Sequence, residues 1–144
     1  MKKIKKILKI VVAIIVVVVL FIRFALPTIL HKAGLHVVYP DSKEYDLSGK
    51  KALIITTSHG VLNAPGETTG NPTGVAASEL TVPYYEFLDA GREVDVASIK
   101  GGKIPIDPQT LIFLIKTPED ERFLKDEIFQ EKANKSLKID DIDF

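Results

Sequence analysis

Residues Thr73 to Gly91, TGVAASELTVPYYEFLDAG, decide the fold of this chain. Thr73 offers an N-cap hydroxyl, and Ala76, Leu80, Tyr84, Phe87 and Leu88 recur at helical spacing before Ala90-Gly91 supplies a stop. A helix over this stretch is therefore expected. Pro83 lies inside it and cannot donate to the carbonyl four residues back, that of Glu79. At about 100° per residue Glu79 falls roughly 90° from the centre of the apolar stripe, on the border between core and solvent. Two readings follow: a surface acid beside a tolerated bend, or a partly desolvated carboxylate with a chemical role. Pattern alone favours the first.

The elements on either side suggest how this helix is used. Before it, Ala52 to Thr56 (ALIIT) is a short branched run bounded by turn formers, the signature of a buried strand. After it, Glu93 to Ser98 (EVDVAS) alternates as a strand does. Strand, helix and strand in that order predict a right-handed βαβ unit with parallel strands.

Ser58 to Pro72 (SHGVLNAPGETTGNP) reads as a long loop between the first strand and the helix. Its glycines, Gly66 and Gly70 with Gly74, match neither a phosphate loop nor the dinucleotide fingerprint. Lys100 to Pro108 is a second turn-rich loop, and Leu111 to Ile115 is apolar enough to pack as a short element. Thr117-Pro118-Glu119-Asp120 carries a cap, a proline and acids in the order of a helix start. That helix runs through Phe123 and Leu124 and restarts through Ile128 and Phe129, and LKIDDIDF at the end looks like the approach to a further strand.

The N-terminal part is of another kind. Five lysines, Lys2, Lys3, Lys5, Lys6 and Lys9, precede an unbroken apolar run from Ile10 to Ile22. Residues 7–26 would span about 30 Å as a helix, the hydrocarbon thickness of a bilayer, with Lys9 and Arg23 placed to snorkel. A cleaved signal peptide competes with this reading. The bulky, basic residues that follow offer no small-x-small cleavage site, so an uncleaved signal anchor is favoured. The lysines place the N-terminus in the cytoplasm and the domain on the outer face of a single-pass cell-membrane protein. The division expected is a cytoplasmic basic tail over 1–6, a transmembrane helix over 7–26, a juxtamembrane linker over 27–49 and a domain over 50–144. Within the linker, Leu35 to Tyr39 suggests a short strand or a segment that packs on the body of the domain.

The formal net charge of zero conceals an asymmetry: beyond Arg23, 13 basic residues face 19 acidic ones. That balance argues against nucleic acid, whose phosphates are held by basic side chains. The chain has no cysteine, which excludes thiolate metal sites and a cysteine nucleophile of its own. His31 and His36 lack a third metal ligand nearby, and Asp140, Asp141 and Asp143 read as solvated charge in a tail, so no metal is expected. Ser58 and His59 are adjacent, where side chains on an extended backbone diverge, and no G-x-S-x-G turn exists for a triad.

Three motifs in order, T-G-x4-E-x3-P from Thr73, D-A-G-x-x-V from Asp89 and S-x-K-G-G-x-x-P-x-D-P from Ser98, carry a resemblance. Over Lys50 to Phe144 the chain resembles the ThiJ/PfpI superfamily, the class I glutamine amidotransferase-like fold, and within it the heat-shock glyoxalase III and chaperone branch. The resemblance implies a doubly wound, flavodoxin-like α/β domain with a parallel sheet. It implies a cysteine nucleophile on a strained turn, touched by a glutamate of the first helix, which by motif position is Glu79. A carboxyl sharing its proton with a thiol stabilises the thiolate that attacks a carbonyl.

The activities implied are methylglyoxal conversion without added cofactor, deglycation, amidase or peptidase chemistry, and holding of unfolded proteins. The segment that would carry the Gly-Gly turn and cysteine elbow is missing. The chain therefore looks like the truncated N-terminal portion of a membrane-anchored member, arising from a frameshift, a split gene or a shortened sequence. It is expected to be inactive alone and to need a second chain for the absent half, with the bilayer its other partner through 7–26. The alternative is a non-enzymatic membrane-tethered binding or holdase module.

Overall fold

The computed structural model describes residues 2–35 and 49–143. The chain divides into two units, an N-terminal apolar helix and an α/β body, and each is described by itself.

Helix α1 (Lys2–Leu20) has no polar stripe beyond its lysines, and every residue from Lys3 to Leu20 is exposed. Beyond it the turns widen over Phe21–Ala25, tighten in α2 (Leu26–Leu30) and widen again over His31–Leu35. Pro27 explains the first widening: it cannot donate to the Arg23 carbonyl, and the neighbouring Leu26 N–H reaches back to the Phe21 carbonyl instead. The helical path thus continues past Pro27, where a connector was expected to begin. A proline at the start of a helical segment costs little because its N–H is not needed there. Gly34, at φ +98°, interrupts the path. Among the described residues this is the one helix long and apolar enough to cross a membrane. The expected strand over Leu35 to Tyr39 falls outside the described residues after Leu35, as does His36 of the histidine pair.

The body is an α/β domain built on a parallel sheet. Strand β1 (Lys51–Thr56) leads through a small hairpin, β2 (Val61–Leu62) against β3 (Asn71–Pro72), into α3 (Ala77–Asp89), which returns to β4 (Glu93–Ser98). The loop expected over Ser58 to Pro72 therefore holds an antiparallel pair. Gly70 permits it: a Cβ there would lie 1.9 Å from the Leu62 carbonyl oxygen. β1 and β4 pair in parallel from Lys51–Glu93 to Thr56–Ser98. Helices α4 (Pro118–Phe123) and α5 (Glu127–Asn134) follow, then β5 (Leu137–Lys138), which pairs in parallel with β4 to give the order β1-β4-β5.

The start and restart expected from the sequence are both present. Thr117 and Asp120 form a reciprocal capping box, and Asp126 caps α5 by accepting from the Phe129 N–H. Leu111 to Ile115 forms no single element, although Leu111, Leu114 and Ile115 are half-buried. A 3-10 turn covers Pro108–Leu111, and Ile112 and Phe113 remain exposed.

The core lies between one sheet face and the three helices. Val94 and Val96 of β4 meet Leu80, Tyr84 and Tyr85 of α3, with Phe123, Phe129 and Ala133 closing the far side. Phe129 stacks on Tyr84 at 3.5 Å between centroids and presents edges to Tyr85 and Phe123. β1 is less buried than its composition suggested, because it is an edge strand of this sheet. Ala52 and Ile54 face the core, while Ile55 on the alternate face is 49% exposed. Leu137 of β5 is also exposed on that face, while Ala97 of β4, paired between the two, is buried.

Candidate functional site

In a parallel α/β sheet the carboxyl ends of the strands form the usual ligand crevice, because the following helices begin there. The end of β1, the end of β4 and the first turn of α3 all lie at this edge. What fixes them is the loop from Lys100 to Thr110.

That loop is tied on both sides. Toward β5, the backbones of Gly102 and Ser136 exchange two hydrogen bonds of 2.9 Å, and the Ser136 hydroxyl donates to the Gly102 carbonyl at 2.7 Å. The Ser98 hydroxyl at the end of β4 lies 2.9 Å from that of Ser136 and shares a hydrogen bond with it. Gly101 and Gly102, at φ +71° and +76°, make this turn possible. Toward α3, the Val75 N–H donates to the Pro105 carbonyl and the Asp107 N–H to the Val75 carbonyl, both at 2.9 Å. Gly74 is required at this crossing, since a Cβ would sit 2.1 Å from the Pro105 oxygen.

The expected N-cap is corrected by this strap. Helix α3 begins at Ala77 with Ala76 as N-cap residue, and Ala76 has no side-chain oxygen to offer. Thr110 supplies it from across the loop, accepting from the Ala77 N–H at 2.9 Å and donating to the Asp107 carbonyl at 2.7 Å. Thr73 turns instead to Asp107, donating to Oδ2 at 3.4 Å, while Asp107 Oδ1 accepts from the Gln109 N–H. Asp107 and Thr110 are positioning residues that pattern reading missed. Asp107-Pro108 does carry a cap signal, but it announces the 3-10 turn and gives no hint of the bond to α3.

Glu79 stands in the first turn of α3, so its position follows from this strap. It is exposed rather than on the core border, and no described residue pairs with its carboxylate. The reason lies on the other side of the helix. The buried positions are Ala77, Leu80, Thr81, Tyr84 and Tyr85, a stripe centred about 170° from Glu79 at ~100° per residue. Thr81 and Tyr85 enter the core because carboxylates come to meet their hydroxyls. Thr81 donates to Asp120 at 2.6 Å and Tyr85 to Asp126 at 2.9 Å. Burial, with Asp126 as second cause, holds the Tyr85 hydroxyl well above the usual tyrosine range. Arg122 sits 4.0 Å over the Tyr85 ring and forks onto Asp89, whose carboxyl it pulls below the usual range.

The remaining sequence candidates do not converge. Ser58 Oγ accepts from the Lys100 N–H at 2.8 Å, and His59 is exposed, held through its own N–H to the Thr57 hydroxyl. Asp140 pairs with Lys138, and no group of three potential metal ligands occurs among the described residues. One further polar atom belongs to this edge: the Thr56 hydroxyl at the end of β1 is buried without a hydrogen-bond partner. Chemically, the site offers a free carboxylate on a firmly positioned helix end and no protein thiol.

No family model matches the chain, and no curated relative matches it. Among solved structures, the crystal structure of Rapid Encystment Protein 24 KDa from Francisella tularensis is similar, with 34% identity and a TM-score of 0.55 over 65% of this chain. A second crystallographic structure has 28% identity and a TM-score of 0.47 over 62% of this chain. The chain spans 39% and 35% of the lengths of these two proteins. The likeness is one of fold.

Proposed function

We propose that this chain is a membrane-tethered ThiJ/PfpI-like protein in which Glu79 is the carboxylic acid beside a cysteine contributed by a second polypeptide. The chemistry is of the glyoxalase III, deglycase or amidase type. The thiolate attacks a carbonyl carbon, and the carboxyl holds the proton that would otherwise quench the thiolate. The observation that carries this reading is Glu79 itself, unpaired and exposed on the first turn of α3, with that turn held by the strap from Lys100 to Thr110. The strap and the turn before α3 contain the motifs that resemble the superfamily. The apolar N-terminal helix supports anchoring in a bilayer, with the body on the outer face.

The second polypeptide accounts for two further features. Parallel sheets are ordinarily covered on both faces, and here Ile55 and Leu137 stand open on one of them. The similar encystment protein has more than half of its length outside the matched part. The same open face favours a second reading, a tethered holdase that binds apolar segments of unfolded chains.

Methylglyoxal consumption by the full chain in detergent separates the two. Alone, the chain is expected to leave methylglyoxal at the buffer rate. Co-expressed with a polypeptide carrying the complementary half of the fold and its cysteine, it is expected to turn methylglyoxal over, and Glu79→Gln then lowers the rate by about 10²-fold or more. Turnover by the chain alone would place the nucleophile elsewhere. Turnover in the assembly that is indifferent to Glu79→Gln would remove the acid role. Suppression of aggregation without any turnover would establish the holdase.

A further inference from the structure

The first turns of α1 differ from the rest of that helix. At ~100° per residue, Lys3, Lys5, Lys6 and Lys9 fall within an arc of about 160°, while Ile4, Ile7 and Leu8 fall within an arc of about 100° on the opposite side. From Ile10 onward the helix is apolar all round. A short basic amphipathic segment thus runs without a break into a fully apolar one. All seven side chains are exposed, Ile4 at 70%, and none of the four lysines has an acidic partner among the described residues. No Asp or Glu occurs before Asp41, so the sequence nearby holds nothing to neutralise them.

We infer that this lysine face binds anionic phospholipid headgroups, with Ile4, Ile7 and Leu8 buried at the acyl boundary beneath them. The inference rests on the membrane reading given above and adds the lipid class. Two physical arguments support it. Four positive charges in the opening turns oppose the helix macrodipole, and phosphates packed around that end relieve both the repulsion and the dipole mismatch. Where the helix enters the bilayer, lysines on one side can extend their ammonium groups to the headgroups while Ile4, Ile7 and Leu8 on the other side meet the acyl boundary. A water-filled acidic protein surface would leave the three apolar side chains exposed.

The test uses the full chain reconstituted in phosphatidylcholine vesicles containing trace spin-labelled phosphatidylglycerol or spin-labelled phosphatidylcholine. Resistance to alkaline extraction is measured on the same vesicles. The chain is expected to resist extraction and to immobilise the anionic lipid about fivefold more strongly than the zwitterionic one, the preference from roughly one engaged lysine. Molar salt is expected to abolish the preference, because the screening length falls to about 3 Å. The combined variant Lys3→Gln, Lys5→Gln, Lys6→Gln and Lys9→Gln is expected to lose it while still resisting extraction, and Lys103→Gln on the body to keep it. Insertion without lipid preference, or a preference that survives the four substitutions, overturns the lysine-face assignment alone. Failure to resist extraction overturns the membrane reading and this inference with it.

Discussion

Helices α1 and α3 are both announced by apolar residues, yet they bury those residues in opposite ways. α3 presents one stripe to a core the chain itself builds, with Leu80, Tyr84 and Tyr85 almost wholly removed from solvent. From Ile10 onward α1 has no second face to leave in water, and all its large apolar side chains are exposed in the protein alone. A helix apolar on every side is one to be buried all round, in a membrane or in the core of a large protein, whereas a striped helix buries a single face. The contrast also explains their prolines. Pro27 shifts a helical path that makes few demands on register, while Pro83 sits in a helix whose register is pinned by Asp120, Asp126 and Thr110.

The largest effect should come from emptying the contact that gives α3 its partner. Phe129→Ala removes the ring stacked on Tyr84 and is expected to destabilise the body by about 3–5 kcal/mol in urea denaturation. An unchanged midpoint would mean that the aromatic cluster contributes little to the core. The matching change in α1 should act elsewhere: Ile15→Asp with Val16→Asp adds roughly 2.5–3.5 kcal/mol per substitution to membrane insertion. The inserted fraction in microsomes is expected to fall while the urea midpoint of the body stays put. A shift of that midpoint would break the division between external and internal burial.

Smaller effects probe how the register of α3 is held. Tyr85→Phe deletes the bond to Asp126 and is expected to cost about 1 kcal/mol at neutral pH. Its pH dependence follows from the raised tyrosine. The folded state keeps Tyr85 neutral where an unfolded tyrosine, near pH 10, ionises. Stability from this group is therefore fully present below about pH 10 and lost as pH rises toward the folded value. Tyr85→Phe should flatten that alkaline decline, and an equally steep decline in the variant would assign it to other groups. Thr110→Ala removes the hydroxyl that caps α3 across the loop. A loss of about 1 kcal/mol, with amide exchange faster at Ala77, is the expected result. Protection retained at Ala77 would show that water replaces Thr110 at no cost.

Much of the fold is legible in local pattern. Glu93 to Ser98 became the strand it alternates like, Thr117 and Asp120 cap as their spacing implies, and α1 follows from thirteen consecutive apolar residues. Position along the chain was read better than orientation. The face of α3 was misplaced because the expected stripe ran through Ala76, Phe87 and Leu88 and left out Thr81 and Tyr85, whose hydroxyls meet carboxylates from 39 and 41 residues away. The same cause moved Glu79 from the expected border to open solvent.

The sequence by itself determined where helices and strands lie, that the N-terminal helix has no polar face beyond Lys9, and that these 144 residues hold no thiol. These follow from periodicity, composition and caps within a few residues of one another. Only the tertiary structure decided that Thr110 rather than Thr73 caps α3, that β1 is an edge strand with Ile55 uncovered, and that Glu79 faces away from the core. Each depends on groups brought together from distant parts of the chain, and hydrogen bonds of that kind leave no period in the sequence.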